Sequence, residues 1–113
     1  MDQSRRYADI LTQVLREKSK LSFRTIPRLK IVSSCDTEAG QFLLIMIGWD
    51  NQKHWVHSIL FHAQVIDSNV IIESDMTEDG LTSALCEAGI SFEHILSGED
   101  RDWLMATPQA KAA

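Results

Sequence analysis

The longest apolar run in this chain, Phe42 to Ile47, is six residues. A membrane-crossing helix needs about 20. The amino terminus, Met1-Asp2-Gln3-Ser4-Arg5-Arg6, leads into polar residues and not into the apolar core of a signal peptide. A soluble, cytoplasmic protein is therefore expected. Cysteine is scarce as well: Cys35 and Cys86 lie far apart and match no C-x-x-C or zinc spacing, which predicts two reduced thiols. With only five glycines, the chain has neither G-x-G-x-x-G nor G-x-x-x-x-G-K-[ST], so no phosphate-cradling loop is present. It also lacks the G-x-S-x-G elbow and H-E-x-x-H, which lowers the prior for a common serine hydrolase or a zincin.

What remains is ordinary globular sequence. At 113 residues and 12.8 kDa the chain is long enough for one modest core, so residues 1–113 are read as a single domain. Hydrophobic residues are 44% and charged residues 24%, values that fit neither a disordered nor a fibrous class. Basic side chains are concentrated early. Residues 1–34 hold eight (Arg5, Arg6, Arg16, Lys18, Lys20, Arg24, Arg28, Lys30) against three acids, a net +5. Residues 35–113 hold Lys53, Arg101 and Lys111 against thirteen acids, a net −10. Such asymmetry either neutralises itself within one fold or steers a charged partner.

Periodicity places the elements. Tyr7, Ile10, Leu11, Val14 and Leu15 recur at helical spacing and predict an amphipathic helix over 4–19. Strands are predicted at Arg28–Ser34, Gln41–Trp49, His54–Ile66 and Val70–Glu73. Their short connections imply antiparallel neighbours, because a parallel crossover needs a dozen or more residues. Thr77 is a good N-cap for a second helix over 77–88, with Glu78 and Asp79 in its first turn and Gly89 at the C-cap. Residues 90–96 return as a short turn with a possible last strand, and 97–113 are polar apart from Trp103-Leu104-Met105. The expected class is α+β: an antiparallel meander of about four strands with two helices on it.

Gly48-Trp49, Val56-His57, His62, Ile66-Asp67, Asp75-x-Thr77-Glu78-x-Gly80 and Ala88-Gly89-Ile90 resemble, in order and spacing, the XisI family. Its members are small cyanobacterial proteins called fdxN-element excision controlling factors. The resemblance runs over about residues 5–96, with Tyr7-x-x-Ile10 and Val14-Leu15 in the opening helix; Gly98 to Ala113 diverge. It implies a regulatory role in programmed excision of a DNA element during heterocyst development. There a separate site-specific recombinase acts together with a nuclease-like companion, XisH. A binding partner of a XisH-like protein outside that element is equally compatible.

The residues offer few candidates for chemistry. His57 and His62 are five apart, so a regular strand puts them on opposite faces, sharing a metal only across a bulge. His57 falls in the more apolar row with Trp55, Ile59 and Phe61, where a histidine is usually a hydrogen-bonded core residue. Asp75, Glu78 and Asp79 form a compact acidic cluster, better explained by amide bonds of a turn and by a helix N-terminus than by a metal. Asp50 and Asp67 read as turn residues. Gly48, Trp49, His57, His62, Asp67, Asp75, Thr77, Glu78, Gly80 and Gly89 are thus expected to serve the fold, with no cofactor and no metal.

Trp49, Trp55 and Trp103 are the candidate partner anchors, since tryptophan is enriched among interface hot spots. Trp49 and Trp55 flank one turn and would equally suit a cross-strand pair. Taken with the XisI resemblance, which implies the XisH-like partner, these features favour a non-enzymatic accessory protein that binds a XisH-like protein, forms a homo-oligomer and has little affinity for DNA alone. The alternatives are a direct DNA-binding module, or a small metal-dependent hydrolase using His57, His62 and Asp75.

Overall fold

A computed structural model of the chain describes residues 3–20 and 26–100. Helix α1 (Gln3–Ser19) comes first, followed by strands β1 (Leu29–Asp36), β2 (Gln41–Trp49), β3 (Trp55–Ile66) and β4 (Asn69–Asp75). A short helix α2 (Thr82–Glu87), a 3-10 turn (Phe92–His94) and strand β5 (Ile95–Ser97) complete the described chain. The strands form one sheet in sequence order, β1-β2-β3-β4-β5. Among the described residues no helix is long and apolar enough to cross a membrane.

The first four strands are the antiparallel meander that their short connections require. Each turn has its own chemistry. Asp36 Oδ1 accepts the amides of Glu38 and Ala39, and Asp50 Oδ1 accepts those of Gln52 and His54. Asp67 and Ser68, with φ of 50° and 67°, make a two-residue connection whose twist matches the strands it joins. The fifth strand differs from the expected four-strand meander. β5 pairs with β4 in parallel, and the long excursion from Asp75 through α2 to Ile95 supplies the crossover that parallel pairing demands.

Helix α1 buries Tyr7, Ala8, Leu11 and Leu15 against one sheet face, as its periodicity dictates. Phe42, Leu44, Phe61, Ala63 and Val70 meet them from the strands, and Leu81, Leu85 and Ile90 close the same core. Tyr7 is fully buried, and its hydroxyl still bonds: it lies 2.6 Å from His94 Nδ1 and accepts from Gln3 Nε2 and the Ser91 amide. That contact ties the first helix to the turn before the last strand.

The second helix is shorter than the predicted 77–88, beginning at Thr82 with no side-chain cap. Thr77 does not cap it, because Asp75 takes Thr77 first. Asp75 Oδ1 accepts both the amide and the hydroxyl of Thr77, while Oδ2 accepts the Leu81 amide at 2.8 Å. The carboxylate thereby folds residues 76–81 into a loop, and Glu78 and Asp79 are exposed on it, outside any helix. Gly80, at φ 73°, turns the chain within that loop. Gly89 has the positive φ expected after the helix, 121°.

Candidate functional site

Strand alternation gives the sheet a second face, and neither α1 nor α2 covers it. Cross-strand register orders that face in rows. Trp49 stands opposite Trp55; Lys30, Ile47 and His57 form the next row; Val32, Ile45 and Ile59 the third; Ser34, Leu43, His62 and Ser74 the fourth. Four of the apolar members are exposed: Trp55 is 56% exposed, Ile59 48%, Trp49 43% and Val32 42%, while Leu43, Ile45 and Ile47 are half-buried. Contiguous exposed apolar surface on this scale marks a contact site more often than free surface.

The two indoles touch. Their ring centroids are 5.2 Å apart at 70°, an edge-to-face pair across the β2–β3 hairpin. The turn below them is held by Asp50. Hydrogen bonds from the His54 amide above all hold its carboxyl below the usual carboxylate range, and His54 Nδ1 also lies 3.3 Å from Oδ2. Gly48 shapes the other side. Its φ of 139° belongs to glycine, and a Cβ there would collide with the carbonyl of Arg28. Only glycine lets β1 approach so closely that the Trp49 amide donates to Arg28 O at 3.1 Å.

That approach forms a groove of about 690 Å³ lined by Pro27, Arg28, Lys30, Val32, Ile47 and the two tryptophans, with Gly48 at its floor. A smaller hollow beside it is lined by Arg28, Trp49, Asp50 and Lys53. Thus two cations from the basic first third of the chain share a groove with aromatic rings from the acidic remainder. Counting charge along the sequence could not reveal this juxtaposition, because β1–β2 pairing creates it.

The histidines fall differently from the sequence reading. Leu60 is an extra residue in β3, since Leu44 pairs with Phe61 and Ile45 with Ile59. This bulge restores the parity that a five-residue spacing would break. His57 and His62 therefore share the open face, opposite Ile47 and Leu43. They remain roughly 13 Å apart along the strand at the usual rise per residue, too far to share one ion. His57 is exposed, not part of the buried row it was expected to join. His62 Nε2 donates to Gln41 Oε1 at 2.8 Å; Gln41 Nε2 donates to Gln64, and Gln64 Nε2 to Glu73, a polar chain crossing three strands.

Asp75 is engaged in its loop, distant in register from His57. Among the described residues, no group of three or more His, Cys, Asp or Glu could hold a metal. Cys35 and Cys86 are free, and burial pushes the Cys35 thiol up, away from the reactive thiolate. Trp103 lies outside the described residues.

Comparison with known proteins agrees with this architecture. The XisI protein family matches residues 1–103. The crystal structure of a XisI-like protein from Anabaena variabilis ATCC 29413 superposes with a TM-score of 0.67 at 16% identity, covering 80% of this chain and 82% of that one. The fdxN element excision controlling factor XisI from Anabaena variabilis ATCC 29413 superposes with a TM-score of 0.66 at 24% identity, covering 84% and 90%. No curated protein matches the chain. With the family match spanning most of its length and the same α+β fold, the chain belongs to the XisI family.

Proposed function

We propose that this protein is a non-enzymatic accessory factor that acts in controlling excision of a DNA element by binding a XisH-like protein. Family membership supports the excision role, because a structural neighbour bears the name fdxN element excision controlling factor. The observation that carries the protein-contact part is the exposed β1–β3 portion of the second sheet face. Trp49, Trp55, Val32 and Ile59 are all more than two-fifths exposed on one side of the sheet, and burying large apolar groups of this kind dominates interface energetics.

Control, in this reading, means contact. The protein would engage its companion and alter how a recombinase meets the element, with no bond made or broken by its own side chains. When the companion is absent the same face would pair two copies, and light scattering at micromolar concentration should show more than a 12.8 kDa monomer. Co-expression with a XisH-like protein tests the reading. Co-purification at low salt is expected; its failure would remove the proposal. DNA titration of the isolated protein at about 0.15 M salt should show no sub-micromolar binding, because the net charge is −5.

A further inference from the structure

We infer that the groove between β1 and the Trp49–Trp55 pair takes an acidic protein segment bearing large apolar side chains. The inference rests on the accessory reading and adds the chemistry of the contact. Arg28 and Lys30 line the groove, Lys53 lies just beyond it, and among the described residues no carboxylate lines the groove itself. Asp50, in the adjoining hollow, accepts the amides of its own turn. In a chain of net charge −5, whose residues 35–113 alone are net −10, this is a local reversal of sign, and it attracts an acidic partner.

The floor defines the rest of the ligand. Beyond the cations the surface continues as Ile47, Val32, Ile45 and Ile59, an apolar band with exposed His57 at its edge. Carboxylates of the segment would meet Arg28 and Lys30, and its apolar side chains would lie on the indoles and this band. Single-stranded nucleic acid also pairs cations with aromatic rings. It is disfavoured here because the indoles pack edge-to-face on each other at 5.2 Å, and the surface beyond them is mainly aliphatic.

Three titrations read by tryptophan emission decide it, together with pull-down of a XisH-like companion. The probes are a short peptide alternating glutamate and leucine, its lysine–leucine counterpart, and a single-stranded thymidine oligonucleotide. Binding of the glutamate peptide is expected, weakening as salt rises from about 0.05 to 0.5 M, with little response to the other two. Arg28→Glu with Lys30→Glu should weaken both the peptide and the companion by about tenfold or more. Arg28→Gln with Lys30→Gln, which adds no repulsion, should do so less. An oligonucleotide that binds more tightly than the glutamate peptide, or a glutamate peptide no better than the lysine one, overturns the inference. Companion binding that survives charge reversal but is lost in Trp55→Ala overturns it too, and leaves the accessory reading standing. A wild-type protein that ignores the companion removes that reading instead, and the peptide arm then decides the inference alone.

Discussion

The amide of Trp49 donates to the carbonyl oxygen of Arg28 at 3.1 Å, so the last residue of β2 and the residue before β1 are locked side by side. This one main-chain bond places a guanidinium-bearing residue next to the exposed indole pair. It exists because residue 48 has no side chain.

Gly48→Ala is therefore expected to destabilise the protein by about 1–3 kcal/mol or more, from its left-handed backbone and the collision with the Arg28 carbonyl. Urea denaturation measures the loss. Emission from Trp49 and Trp55 should change as well, because β1 must withdraw from the groove.

Tyr7→Phe removes the hydroxyl that joins Gln3, Ser91 and His94 while leaving the buried ring in place. The expected cost is about 1–3 kcal/mol, the range for leaving hydrogen-bonding partners unmatched. A denaturation midpoint equal to wild type would show that water replaces the hydroxyl without loss.

Asp75→Ala should cost about 2 kcal/mol, because the carboxylate accepts two amides and a hydroxyl and so organises residues 76–81. Elemental analysis of both proteins should find no stoichiometric metal. About one zinc or manganese per wild-type chain, lost in the variant, would give Asp75 a different role.

Asp50 sets an acid limit on the β2–β3 turn. Its carboxyl is held below its ordinary value of 3.8 in the folded protein. The stabilisation it gives is thus present above that value and is lost as pH falls through the lower, folded one. Emission of the neighbouring tryptophans should show a transition below about pH 4. Asp50→Asn should abolish this acid transition.

Much of the fold was legible in the sequence. Strand β2 matches its expected bounds of Gln41–Trp49, and β3 begins one residue later than expected. Both are long apolar runs bounded by strong turn residues. Helix α1 is equally plain from its buried spacing. The start of α2 was hidden because Thr77 followed by Glu78 and Asp79 looks like a cap; Gly80, poor within a helix, was the one local warning. The common face of His57 and His62 was hidden for a different reason. A bulge at Leu60 arises from pairing between strands and leaves no local mark. Of the candidate site, the two tryptophans stood out in the sequence as candidate anchors, while Arg28 and Lys30 were seen only as members of a basic segment. Their position beside the rings depends on register and on Gly48.

Calorimetric titration of a XisH-like companion with wild type and Trp55→Ala decides whether Trp55 serves a partner more than the fold. The ring is 56% exposed, and its cross-strand contact is worth about 0.2–1 kcal/mol, so the variant should unfold close to the wild-type midpoint. Loss of a hot-spot indole costs about 2 kcal/mol or more, so companion affinity should fall at least about thirtyfold. Undiminished affinity in a folded Trp55→Ala protein would contradict the account.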